Sequence, residues 1–213
     1  MSKNRNILAT IFLSIFLVSA TRADETKPID PITPTGIIDA RGKEIHDLVI
    51  SAKSDDEMRE KVRSVLEQFV DFPEFGRLCL GSQWSELTPK QQATYLEEFK
   101  RLLQNSYLRR FDAGQEFKMT FRKEPRKNKT EDRIQVHTTI IGTGDNAMSA
   151  DVDYRFYQTK KGWMVYDILV DEVSMMRNYR RSFIKVYKKD GFDELLLRMQ
   201  KKSKDTDSSS DEI

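Results

Sequence analysis

Cysteine is almost missing from this chain. Cys79 is the one thiol among 213 residues, so no internal disulfide can staple the fold and packing must hold it together. Its neighbours Leu78 and Leu80 make it a small apolar core residue. Histidine is nearly as scarce: His46 and His137 lie far apart and neither has a companion at metal-ligand spacing, so no metal site is expected and both read as ordinary surface or edge residues. No phosphate-binding glycine loop, dinucleotide fingerprint or Ser-His-Asp set occurs. A basic surplus is missing too. Lys and Arg number 36 against 34 Asp and Glu; removing Lys3, Arg5 and Arg22, which precede every acidic residue, leaves 33 against 34, a net charge of −1. A protein that binds nucleic acid through phosphate neutralisation carries the opposite balance, so no nucleic-acid partner is expected.

Long apolar runs are confined to one place. Ile7 to Val18 follows Lys3 and Arg5 and precedes Val18-Ser19-Ala20 and Thr21-Arg22-Ala23, which is the layout of a secretory signal over residues 1–23, cleaved near Ala20 or Ala23. The run is too short to span a bilayer comfortably. No cysteine stands near the cleavage point to carry a lipid, and no second run of membrane length follows. The mature chain is therefore expected to be exported and soluble.

What the chain does have is aromatic bulk: twelve Phe, seven Tyr and two Trp supply the core of a single domain over residues 37–202. Residues 24–36, with Pro28, Pro31 and Pro34, read as an extended linker. From Gly36 a first helix carries Ile37, Ile38, Ile45, Leu48 and Val49. Ser54 caps a second, whose stripe is Met58, Val62, Val65, Leu66 and Phe69 and whose first turn holds Asp55, Asp56 and Glu57. Phe72 to Leu80 reads as a short helix stopped at Gly81. Thr88, Pro89 and Gln91 form a capping box at the head of a long helix. Its inner face is expected to hold Tyr95 or Leu96, Phe99, Leu102, Leu103, Ser106 and Tyr107, with Glu97, Lys100, Arg101 and Arg109 outside.

The second half alternates with period two. Phe117, Met119 and Phe121, then Ile134, Val136, Thr138 and Ile140, then Val152, Tyr154 and Phe156 mark three strands. Gly142 to Asn146 and Lys160 to Gly162 fit hairpin turns, and Glu124 to Asp132 a charged loop. A fourth strand runs from Trp163 to Val170; regular alternation puts Met164, Tyr166, Ile168 and Val170 on one side and Trp163, Val165, Asp167 and Leu169 on the other. It passes directly into a helix with the stripe Met176, Tyr179, Phe183, Val186 and Tyr187. Asp190-Gly191 stops that helix, Asp193 caps a last one carrying Leu195, Leu196, Leu197 and Met199, and the serine-rich acidic tail 203–213 is expected to be disordered. Helices first, strands after and a returning helix give an α+β fold, helices covering one face of a twisted antiparallel sheet of at least four strands, NTF2-like or cystatin-like in appearance.

The segments Asp71-Phe72, Leu80-Gly81-Ser82-Gln83-Trp84 and Leu87-Thr88-Pro89-Lys90-Gln91 are followed by Phe99, Leu102-Leu103 and Tyr107. Further on come Trp163, Tyr166-Asp167, Val173-Ser174, Tyr179-Arg180, Phe183 and Gly191-Phe192-Asp193. This series resembles, in order, the MlaC or toluene-tolerance family of periplasmic phospholipid-binding proteins. The resemblance implies a periplasmic monomer that carries phospholipid between an inner-membrane ABC permease with an MCE-domain component and an outer-membrane lipoprotein complex, in the maintenance of outer-membrane lipid asymmetry. It implies no enzyme activity and no cofactor beyond bound lipid as cargo. A carrier must hide acyl chains in an apolar cavity, here between the layers. The chain can line it with Phe75, Leu78, Trp84, Phe99, Leu103 and Tyr107 on the helices and with Met164, Tyr166, Ile168, Val170, Met176, Tyr179 and Phe183 on the strand-to-helix stretch. Ordinary core packing explains any one of these residues as well. Arg180 and Arg181, or the basic stretch 122–133, are available to a phosphate or an acidic partner, although a solvated face accounts for them too. An isomerase or dehydratase would use Asp153 with Tyr154 or Tyr166 with Asp167, but strand neighbours point to opposite sides and would not converge. A scaffold without lipid would have a solid core.

Overall fold

The computed structural model describes residues 30–108, 112–143 and 149–204. The expected signal segment, the start of the linker, Arg109, most of the turn after Gly142 and the tail from residue 205 lie outside these. Five helices and five strands follow one another as α1 (Pro34–Ser51), α2 (Asp55–Phe69), α3 (Phe72–Leu80), a 3₁₀ segment (Gly81–Glu86), α4 (Pro89–Leu108), β1 (Phe117–Lys127), β2 (Arg133–Gly142), β3 (Ser149–Thr159), β4 (Gly162–Val170), β5 (Val173–Ser174) and α5 (Met175–Lys204). The sheet is antiparallel in the order β1-β2-β3-β4-β5, so every connection is to a neighbour and the α+β expectation holds.

Helix ends follow local chemistry. The Thr88 hydroxyl accepts from the Gln91 N–H at 3.3 Å while the Gln91 side chain accepts from the Thr88 N–H at 2.9 Å, closing the box the sequence announces. Ser54 caps α2 through Glu57 N–H. Asp71 caps α3 through Glu74 N–H at 2.9 Å. α1 begins earlier than expected: Thr33 accepts from Gly36 N–H at 3.1 Å, and Pro34 stands at the first helical position, where its fixed φ and missing N–H suit a helix start. The proline read as linker is thus a helix initiator. Gly191, at φ 85° and ψ −178°, breaks α5 into two helical stretches as expected. Ser203 is buried at 1% exposure and lies within the last turn of α5, which runs to Lys204, instead of opening the tail.

β1 runs on to Lys127, so residues 124–127 of the expected loop are strand, with register shifts on both sides of Lys123 that accommodate Pro125. A second irregularity has larger consequences. On β4, Asp167 pairs with Arg155 and Val165 with Phe156, leaving Tyr166 as the extra residue of a β-bulge. The bulge reverses the phase of the strand. Trp163, Val165, Ile168 and Val170 pack on the main core, whereas Tyr166 meets Tyr157 and Arg133. The sides expected from regular alternation are therefore wrong on one half of the strand: Met164 and Tyr166 share the outer face with Asp167 and Leu169, and Ile168 and Val170 share the inner face with Val165.

The deepest part of the core is a ring cluster among α3, α4 and α5. Phe99 lies 5.4 Å from Phe75, 6.1 Å from Tyr95, 6.0 Å from Tyr179 and 6.2 Å from Phe183, centroid to centroid. Edge-on, tilted and stacked pairs of this kind add about 0.5–1.5 kcal/mol each beyond area burial. α3 and α4 come close because Gly76 leaves room: a Cβ there would sit 2.9 Å from both Leu96 and Phe99 side-chain carbons.

Candidate functional site

The inner face of the sheet is apolar across four strands and is not evenly covered. Val136, Phe156 and Val165 are sealed, at 1% exposure or less. Met119, Phe121, Ile134, Tyr154, Ile168 and Val170 pack against the same core yet keep accessible surface. The helix layer explains the pattern. α1 lies on β1 and β2, while α2, α3 and α5 gather on β4. At Gly42 of α1 an added Cβ would reach 2.5 Å from the Met119 terminal methyl, so α1 sits hard on the sheet. β3 carries Tyr154. Its phenol is pushed up to about 12, chiefly by burial, with a Thr138 hydrogen bond opposing and the Asp153 charge adding.

The thirteen residues expected to line a cavity divide between several places. Phe75, Phe99, Tyr179 and Phe183 lie in the helical core at 0% exposure, packed ring against ring. Leu103 is buried beside them, and Trp84, Tyr107 and Met176 flank the same core half-buried. Ile168 and Val170 do lie on the partly open inner face. Met164 and Tyr166 are on the far side of the sheet, and Leu78 is half-buried outside the core clusters. Met119, Phe121, Ile134 and Tyr154 share that partly accessible inner face, and the period-two alternation of β1 to β3 is the signal that marks them.

The outer face is polar and tightly bonded. Asp153, 6% exposed, accepts from Arg122 at 2.6 Å and Gln135 at 2.7 Å, and its Oδ2 lies 2.8 Å from His137 Nδ1. His137 is buried at 3%, not an edge residue as expected, because its β2 position pairs directly with Asp153 on β3. Arg155 continues the row to Asp167 at 3.0 Å. Asp167, fully buried, also accepts from the Ser174 hydroxyl at 2.7 Å and from Met176 N–H at 3.0 Å, which ties β4 to the head of α5. Burial raises the Asp167 carboxyl above its usual range, against the lowering effect of the Met176 N–H, Ser174 and Arg155. Every carboxylate oxygen in this row has a structural donor. Asp153 and Tyr154 point to opposite faces as expected; Tyr166 and Asp167 share the outer face because of the bulge. Cys79 is fully buried, its sulfur 3.7 Å from the Met176 carbonyl, and burial pushes its thiol well up, as befits a packing residue. Among the described residues no His, Cys, Asp or Glu cluster is arranged to hold a metal ion, and no helix is long and apolar enough to cross a membrane.

Together these features define a class: an α+β domain in which a helix layer packs on the apolar face of one antiparallel sheet, several of whose inner residues stay half-buried. The family model described as MlaC protein matches residues 44–201, and the chain belongs to the MlaC family. It is 25% identical over 201 residues to the intermembrane phospholipid transport system binding protein MlaC of Haemophilus influenzae, a similarity that covers 91% of this chain and 90% of that protein. Its fold is similar to that of a phospholipid-binding protein from Ralstonia solanacearum, solved in complex with a phospholipid, with a TM-score of 0.68 at 21% identity over 80% of this chain and 97% of the other.

Proposed function

We propose that the protein is a soluble periplasmic carrier of phospholipid that exchanges its cargo with an inner-membrane ABC permease bearing an MCE-domain component and with an outer-membrane lipoprotein complex. The observation that carries this reading is the half-open inner face of the sheet. An ordinary core would seal Met119, Phe121, Ile134, Tyr154 and Ile168 as fully as Phe156 and Val165. Acyl chains need such a surface: exposing a methylene to water costs about 0.8 kcal/mol, so two chains of about fifteen carbons cost on the order of 20 kcal/mol or more in free diffusion. The similarity to a transport-system binding protein and to a fold seen with phospholipid supports the same reading.

Loading requires the layers to part. The ring cluster of α3, α4 and α5 is a close-packed unit, whereas Met119, Phe121, Ile134, Tyr154 and Ile168 keep accessible surface, so the inner face of the sheet is where chains insert with least disruption. The headgroup stays at the mouth, in water. The carboxylates that an enzyme reading would use, Asp153 and Asp167, are held by Arg122, Gln135, Arg155, Ser174 and Met176 N–H, which supports binding over catalysis. Native mass spectrometry of the chain purified from its own compartment tests the proposal. Adducts of phospholipid mass, released by organic extraction, are expected. Protein that emerges empty and takes up no lipid from vesicles overturns it.

A further inference from the structure

The sequence leaves one motif that lipid binding does not use, the run of cations after Met176. In the fold it becomes a stripe. Tyr179, Phe183 and Val186 turn inward, so Arg177, Arg180, Arg181, Lys185 and Lys188 project from the opposite side of α5, all exposed, and line a groove of about 440 Å³ with Ile184 among them. None of the five is ion-paired among the described residues. Elsewhere arginines with a carboxylate in reach use it: Arg59, Arg77, Arg101, Arg122, Arg155 and Arg198 all do. Five unpaired cations over about 16 Å of helix repel one another unless something outside neutralises them. The Arg180 guanidinium rests against Gly81, where a Cβ would come within 2.6 Å of it.

We infer that this face of α5 is a docking groove for an acidic helical segment of a partner protein. Three observations favour a polypeptide over an anionic bilayer. The stripe is short and preceded by the exposed carboxylate Glu172, which a flat membrane would meet as well, while Asp190 after it is paired with Arg198 at 3.0 Å. The mature chain has a net charge of −1, so its pull on anionic surfaces is local and not general. The apolar Ile184 also lies among the cations in a shallow groove, and the cations recur at three- and four-residue spacing to match carboxylates on a facing helix. The inference rests on the carrier reading only for why a partner exists.

The probe is a synthetic helical peptide with glutamates repeated at three- and four-residue spacing over three turns, titrated against the full chain by fluorescence anisotropy. Saturable, salt-sensitive binding is expected. In the variant R181E/K185E/K188E, which leaves Arg180 on Gly81, affinity for that peptide should fall by at least about tenfold, and a matching lysine-striped peptide should now bind. Phospholipid content per molecule, read on the same preparations, should not change. Equal binding by the variant overturns the inference, and so does retention by phosphatidylglycerol vesicles but not by the peptide. If both proteins prove free of lipid while the charge swap still rescues binding, docking stands and the carrier proposal falls.

Discussion

A pair of aspartate substitutions on one strand separates the inner face from the outer. Ile168→Asp puts a carboxylate on the half-open inner surface. The charge and its hydration shell exclude about two or three acyl methylenes at about 0.8 kcal/mol each, so retained lipid should bind about thirtyfold more weakly. The fold loses part of one isoleucine's burial, about 1–1.5 kcal/mol given that the side chain is only half-buried. Tyr166→Asp, two residues earlier and on the same side under regular alternation, should act differently. It removes a ring pair with Tyr157 at 5.7 Å and the Arg133 cation at 5.2 Å, contacts worth about 1–2 kcal/mol together, and leaves lipid alone. Phosphorus per protein after extraction, native mass spectra and urea unfolding of the two variants give the comparison. A Tyr166→Asp protein stripped of lipid beside an Ile168→Asp protein that stays loaded would mean that the bulge had been assigned to the wrong phase.

Phe99→Ala removes the hub of the ring cluster and should lower stability by about 3–5 kcal/mol in urea unfolding; a loss under about 1 kcal/mol would show that the cluster is loosely packed. Gly81→Ala forces a side chain to φ 59° and onto Arg180 at 2.6 Å, for a loss of about 1–3 kcal/mol in thermal unfolding, whereas the same change at solvent-open Gly114, also at positive φ, should cost less for want of a clash. Asp167 gives a pH signature. Its folded-state carboxyl is raised, so the native state holds the proton more tightly than the unfolded chain and this group's contribution to stability declines as pH rises from about 4 through the folded value. Asp167→Asn should flatten stability against pH over that window; an unchanged slope would remove Asp167 as its source.

Local rules wrote most of the element list. The Thr88 box, the Ser54 cap, the Gly191 break and the apolar stripes of α2, α4 and α5 depend on neighbours within four residues, so they can be read without the fold. Pro34 was misread because a proline suits an extended linker and a first helical turn equally, and only the Thr33 cap decides between them. His137 looked peripheral because its burial comes from Asp153, Gln135 and Arg122, contributed by three strands. Ile168 and Tyr166 mark the same limit: a strand's side chains alternate reliably until one residue is inserted in the pairing, and pairing is a property of two strands, not of one. The chain by itself determined which segments are helix or strand, that their apolar sides form one α+β core and which family pattern they follow. The tertiary structure alone decided which residues of β4 face the helices, that the aromatic rings close on one another, and that His137 and Asp167 are buried, because each of these depends on distances between segments far apart in sequence.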